Sequence, residues 1–367
     1  MDVQFDYRHY SRRFQTALFT PLGVWSSRLG MVVRLQQGDR VVYGDISPIP
    51  WFACESFDEV FQFCSRWPKT LTGGVTAAAI AAIPESLPAT RFGIGWAWEQ
   101  LQRQTLDPDL GGWSPDQNHL DHDPPLVQSA LLPAGPQALA VWGDLWDQGY
   151  RTFKVKVGDR PLPRDLDLIQ QLRQALPAAA QLRLDANGKL TEAEARQLLE
   201  WCDRLGTIEF VEQPTGDGTG LPPGVQDYRE HPDPAELAEA KETAWILLQT
   251  LAQDYQTPIA LDESVTTVAQ VRQAYDRGWR GVVVLKPSLA GSPQAVRDLF
   301  TLADLDLVLS SAFETAIGRQ AVVSLAQDWE AHCSPSPRAA GLGVSQWLQA
   351  DGLDSATAAE VWKFIHF

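Results

Sequence analysis

Short apolar runs alternate with amphipathic stretches over most of the chain. The runs are "LVQSALLP", "TFKVKVG", "QLRLDANG", "IEFVEQP", "PIALDES", "GVVVLKPS" and "LDLVLSSAFE", each apolar on both faces until its last residues. Between them, Thr191–Arg204, Ala235–Gln253, Thr266–Arg277 and Pro293–Leu302 are amphipathic. This succession of strand-plus-helix units predicts a parallel α/β structure. On rhythm alone, a closed barrel and an open doubly wound sheet both remain. The missing GxGxxG loop counts against a dinucleotide-binding fold. The first part of the chain reads instead as an α+β module. It has strands over Met31–Leu35 and Arg40–Asp45 joined by a Gln-Gly-Asp turn, then helices near Ser56–Trp67 and Phe92–Gln104. Asp107–Pro125, polar and rich in Pro and Asp, predicts a connection between the two parts. Thr215–Ala235, rich in Gly and Pro, predicts a surface insertion.

The charged residues fall at the ends of the runs. Asp185, Glu212, Asp262 and Lys286 close four consecutive strands, and Lys154 and Lys156 share one face of the strand before them. In a parallel barrel the C-terminal strand ends converge on one mouth. Three converging carboxylates repel one another unless a cation sits among them. Oxygen-only ligation by three acids leaves positions for water and substrate, which points to Mg²⁺ over Ca²⁺ or Zn²⁺. Separate helix caps or ion pairs are the alternative for each acid. Lys156 and Lys286 would face each other across the metal, where a lysine can serve as a base. The chemistry suited to this arrangement is abstraction of a proton α to a carboxylate, with the metal stabilising the enediolate. Lys154, deeper on the same face as Lys156, would add a second positive charge; a simple ion pair to a barrel carboxylate is its alternative.

Composition narrows the partners. The chain has 367 residues, with 30 Lys and Arg against 46 Asp and Glu, so nucleic acid and anionic membrane are disfavoured. No apolar run is long enough to span a bilayer, and the N-terminus lacks a basic-then-apolar signal, so the cytoplasm is expected. The four cysteines and six histidines show no metal-ligand spacing, leaving carboxylates to bind any metal.

The Lys154/Lys156 pair, Asp185 in "LDAN", Glu212 in "VEQP", Asp262 in "DES" and Lys286 in "LKPS" resemble the enolase superfamily, in its muconate-lactonizing-enzyme subgroup. The resemblance covers essentially the whole chain. It implies an α/β modified TIM barrel, (β/α)7β, with an α+β capping domain. The cap would span 1–125 and the barrel 126–328, with 329–367 completing the barrel and packing on the cap. "TPLGVWSSRLGMVVRL", "GDISPIPWFACES", "LLPAG" and "SSAFETAIG" are similar to the o-succinylbenzoate synthase family of quinone biosynthesis. That likeness implies Mg²⁺-dependent syn-dehydration of 2-succinyl-6-hydroxy-2,4-cyclohexadiene-1-carboxylate, with Mn²⁺ as an alternative ion. Lys156 would be the base and then the acid, and Lys286 a protonated electrostatic partner. Asp185, Glu212 and Asp262 would hold the metal. Arg183, Asn187, Ser310 and Ser311 would meet the carboxylate substrate, and Trp25, Trp51 and Phe52 would close over its ring. Ordinary packing is the alternative for each aromatic. No obligate protein partner is implied.

The nearest rival is an N-succinylamino acid racemase or dipeptide epimerase on the same scaffold, which needs both lysines to exchange protons. A metal-independent Schiff-base lyase using Lys156 or Lys286 is the rival of another class. A barrel serving only as a binding module is the third.

Overall fold

Strands of three to five residues are what the apolar runs form. The computed structural model describes residues 2–20, 23–52, 54–106, 126–216, 234–332, 337–354 and 357–365. The first unit contains β1 (Val3–Thr20), β2 (Gly23–Gln37), β3 (Arg40–Ile46), α1 (Phe57–Arg66), β4 (Thr70–Leu71), α2 (Gly73–Ala81) and α3 (Pro88–Leu106). The second begins with β5 (Gln128–Leu131), α4 (Ala138–Asp147), β6 (Thr152–Lys156), α5 (Leu162–Ala175), β7 (Gln181–Asp185) and α6 (Glu192–Leu205). It continues through β8 (Ile208–Glu212), α7 (Pro234–Asp254), β9 (Ile259–Leu261), α8 (Val268–Asp276), β10 (Val282–Leu285) and α9 (Pro287–Ala290). It ends with α10 (Pro293–Leu299), β11 (Asp306–Leu309), α11 (Ala316–His332), β12 (Ala340–Gly343) and α12 (Ala358–Phe364).

The second unit is a parallel barrel. Its strands run in the order β11-β10-β9-β8-β7-β6-β5-β12, and a parallel bridge between Ser310 and Gly341 joins the two ends. Of the two arrangements left open by the rhythm, the closed one forms. Alternation along each strand then decides which residues line the barrel. Phe153, Val155, Leu182, Leu184, Val211, Leu261, Val283 and Leu285 join the cluster packed with the helices. Their neighbours Phe210, Ala260, Val282, Val284 and Val308 form a separate cluster inside. By the same parity Lys154, Lys156, Arg183, Asp185, Glu212, Asp262 and Lys286 point inward. Helix starts are fixed locally: Thr191 with Glu194 and Thr267 with Gln270 form capping boxes on α6 and α8.

The first unit is an antiparallel sheet, ordered β3-β2-β1-β4, with α3 packed on it. The approach is close enough that a Cβ on Gly44 would lie 1.9 Å from the carbonyl oxygen of Gly93. Neither β1 nor the first half of β2 was expected from the hydrophobic pattern. The reason lies in burial along β1. Val3 and Phe5 face the cap's own core, whereas Tyr10, Arg12 and Phe14 are buried at positions of the opposite parity. A buried arginine in the middle of that strand breaks the apolar alternation. The Asp107–Pro125 connection, and with it the expected boundary at 125, lies outside the described residues, as does most of the expected insertion. Among the described residues no helix is long and apolar enough to cross a membrane.

The turn after β11 is one place where the cap is fastened to the barrel; another is α3, whose Glu99 pairs with Arg297 of α10 at 2.8 Å. Arg28 Nε donates to the Ala312 carbonyl at 2.9 Å, and Arg12 Nη1 donates to the Glu314 carbonyl at 2.9 Å. Asp45 accepts from Thr315 N at 2.8 Å and Thr315 Oγ1 at 2.7 Å, and from Tyr10 Oη at 2.8 Å. All four cap residues are buried. Gly318 lies beneath them, where a Cβ would be 2.8 Å from Asp45 Oδ2. The C-terminal segment adds a further tie, since Trp362 and Val361 of α12 cluster with Tyr10 and Val32 of the cap and Ile317 of α11. Asp45→Ala leaves three buried donors without their acceptor and should cost about 3 kcal/mol. Equilibrium denaturant unfolding checks this.

Candidate active site

Register sets the height of each inward side chain. Lys156 pairs with Asp185, and Asp185 with Glu212, so the three share one layer at the C-terminal ends of β6, β7 and β8. Asp262 and Lys286 follow the last residues of β9 and β10. Asp185, Glu212 and Asp262 are buried. Lys154 Nζ lies 2.9 Å from Asp185 Oδ2 and 2.9 Å from Glu212 Oε1. Lys286 Nζ lies 2.5 Å and 2.6 Å from the two oxygens of Asp262. The expected second positive charge at Lys154 is therefore also the ion pair that stood as its alternative. Among the described residues, no three His, Cys, Asp or Glu side chains are placed to hold a metal ion. The ammonium groups lie directly against the acids.

The sequence pattern missed a fourth acid, Glu263. It directly follows Asp262, a position where alternation assigns a residue to the helix side, yet Asn187 Nδ2 donates to its Oε1 at 3.1 Å. Its other oxygen, Oε2, is buried without a hydrogen-bond partner. Burial, then the charges of Asp262 and Asp185, push its carboxyl well above the usual range. Glu212 is raised by burial and by Asp185, with Lys154 opposing. At Asp185 burial also acts upward, but Lys154 and Lys156 outweigh it and hold the group low. Burial disfavours the charge of Lys154, yet Asp185, Glu212 and Asp262 together raise it above an ordinary lysine. Two acids held high and one oxygen unpartnered mark a mouth with more negative charge than its lysines balance. A hard divalent cation fits that donor set.

The other expected residues separate into three groups. Asn187 belongs to the mouth: Lys156 Nζ donates to its Oδ1, so its amide bridges Lys156 and Glu263. Arg183 does not reach the mouth. A register shift after Leu182 opposes two residues of β8 to one of β7, and Glu209 pairs with the guanidinium at 2.8 Å. Arg183 also donates to the Ala339 carbonyl and stacks over Phe210. These partners lie toward the N-terminal ends of their strands, so Arg183 closes the barrel floor and is removed from the substrate contacts. Ser310 donates to the Gly341 carbonyl, at the seam of the ring. Ser311 gives its proton to Glu314 Oε2 at 2.5 Å. Its hydroxyl is committed to the turn and has no proton left for a substrate carboxylate.

Of the expected cap aromatics, Phe52 reaches the mouth. Phe52 places its ring 4.1 Å from Lys286 Nζ. Trp25 meets Trp51 edge-on at 4.9 Å and Phe14 at 4.6 Å. Phe313, from the barrel, joins at 5.1 Å from Phe14 and 5.8 Å from Trp25. Neither Phe14 nor Phe313 was singled out from the sequence, because only the fold brings β1 and the turn after β11 together.

Comparisons with known proteins agree with this architecture. The "Enolase C-terminal domain-like" family model matches residues 138–232, and the "MenC, N-terminal domain" model matches residues 10–101. An o-succinylbenzoate synthase of Thermosynechococcus vestitus is 36% identical over 367 residues, covering 98% of this chain and 99% of that protein. The crystal structure of o-succinylbenzoate synthase from Thermosynechococcus elongatus BP-1, with Mg in its active site, superposes with a TM-score of 0.77 at 34% identity. That match covers 98% of this chain and 99% of the other. The L-Ala-D/L-Glu epimerase of Bacillus subtilis, at 19% identity and a TM-score of 0.70 over 95% of this chain and 91% of its own, shares the fold. With three buried acids on consecutive strand ends, lysines on either side and full-length kinship above 30%, the chain belongs to the o-succinylbenzoate synthase family of the enolase superfamily.

Proposed function

We propose that the chain dehydrates 2-succinyl-6-hydroxy-2,4-cyclohexadiene-1-carboxylate to o-succinylbenzoate, a step of menaquinone or phylloquinone biosynthesis. It is a carbon–oxygen lyase acting on a small carboxylate in the cytoplasm, with no obligate protein partner. The observation that carries the assignment of roles is a difference among three lysines. Among the described residues, Lys154 and Lys286 touch carboxylates, whereas Lys156 meets the amide oxygen of Asn187. A neutral partner suits the group that must alternate between amine and ammonium.

Lys156 takes the proton from the ring carbon bearing the carboxylate. As an ammonium it returns a proton on the same face to the neighbouring hydroxyl, which leaves as water while the ring becomes aromatic. One acid/base residue is enough, because both transfers are on one face. Lys286 remains protonated between Asp262 and the Phe52 ring and stabilises the negative charge that develops. Asp185, Glu212 and Asp262 would hold Mg²⁺, or Mn²⁺ in its place, with Lys154 offsetting the remaining charge. When bound, the cation supplies Lewis-acid stabilisation of the substrate carboxylate. Trp25, Trp51 and Phe52 exclude water above the ring.

An epimerase on the same scaffold needs proton exchange at both lysines. Lys156→Ala should lower turnover of the cyclohexadiene by about 10⁴-fold, whereas Lys286→Arg should keep measurable turnover, followed as formation of the aromatic product. Chelation should abolish that signal and added Mg²⁺ restore it. Incorporation of solvent deuterium into both enantiomers of an N-succinylamino acid, with no aromatic product, would assign the epimerase reaction instead.

Lys154→Met leaves Asp185 and Glu212 buried without their shared ammonium. In EDTA the variant should lose about 3 kcal/mol against denaturant, and Mg²⁺ should stabilise it more than it stabilises the unaltered chain.

A further inference from the structure

We propose that Phe313 is a specificity-determining residue, its ring forming the wall against which the ring of the substrate packs. This rests on the reaction read above. Among the described residues, four that are not glycine have φ in the left-handed region. Three of them, Asn187, Gln213 and Phe313, lie just beyond barrel strands at the mouth. Asn187 and Gln213 are explained by their side chains: one bridges Lys156 and Glu263, and the other accepts from Asp262 N at 3.1 Å and Ser264 N at 3.2 Å. Phe313, at φ +61°, has no polar side chain to reward that conformation. Strain of this kind persists where the surroundings over-determine it.

Here they do so from both units. Ser311 Oγ accepts from Phe313 N at 3.0 Å, and Glu314 Oε1 accepts from Ala312 N at 2.8 Å. Ser288 Oγ donates to the same Glu314 oxygen at 2.5 Å. From the cap, Arg28, Arg12 and Asp45 bind the backbone at Ala312, Glu314 and Thr315. The result holds a half-buried aromatic ring beside Trp25, whose partner Trp51 precedes the Phe52 ring on Lys286. A flat, unsaturated ring is the ligand that edge-on aromatic walls of this kind accept. The cap thus shapes the pocket twice, through its own aromatics and through the barrel turn it grips.

The test compares Phe313→Ala, Phe313→Leu and Phe313→Gly with the unaltered chain in Mg²⁺. KM for the cyclohexadiene and affinity for o-succinylbenzoate are measured together. KM should rise at least tenfold in the alanine and glycine variants and less in the leucine variant. Product affinity should weaken in parallel, and kcat should change less than threefold. The glycine variant adopts φ +61° freely and should melt above the alanine variant, which separates loss of the ring from loss of the fold. A folded glycine variant with KM and product affinity within twofold of the unaltered chain overturns the proposal. Turnover by the unaltered chain is the control: where it is present, that result counts against Phe313 alone. Where it is absent, the reading of the reaction fails and this inference with it.

Discussion

Three carboxylates buried in one barrel mouth, with a fourth half-buried beside them, set the terms for everything around them. Asp185, Glu212, Asp262 and Glu263 cannot all be charged there without cations close by. The barrel supplies the cations from the flanking strands, two from β6 and one from the end of β10. Strand alternation makes this possible, because a lysine at every second position of β6 faces the acids while its neighbours pack against helices. The same packing separates the lysines by their partners. Two lie against acids, and the third meets a neutral amide.

The cap meets a different constraint. Arg28 is buried against carbonyl oxygens of Leu29, Ser47, Pro48 and Ala312. Arg12 is buried against Asp351, Asp354 and the Glu314 carbonyl. A guanidinium satisfied in one pose makes every other pose costly, since displacement would leave a charge and several carbonyls unpaired. These residues therefore fix where the cap sits. Apolar contacts at the same interface would tolerate sliding.

Much of this was legible in the sequence for a simple reason. Barrel strands buried on both faces are continuous apolar runs, so an ionisable residue at the end of "LRLD", "EFVE", "IALD" or "VVVL" followed by Lys stands out. The cap hides its pattern, because β1 buries residues of one parity and then the other, with an arginine among them. Arg183 was misread for a related reason: it shares a face with Asp185, but parity says nothing of whether a long side chain turns up or down the barrel. The β8 bulge that brings Glu209 to it leaves no sequence mark. Glu263 was passed over because alternation assigns it to the wrong side, and Phe313 because nothing local ties it to Phe14.

The seam of the barrel also ties distant parts of the sequence together. β12 pairs with β5, and Phe14 of β1 bridges Leu348, so segments about 200 and more than 300 residues apart close the ring and seat the cap. Contacts this distant in sequence close long loops, which slows folding. Without β12, β5 and β11 would each present one open edge. The turn that holds Phe313 is bonded to seam and cap alike, through Ser311 N to the Gly341 carbonyl of β12 and through Arg28 and Asp45 of the cap, so its shape rests on contacts drawn from distant parts of the sequence.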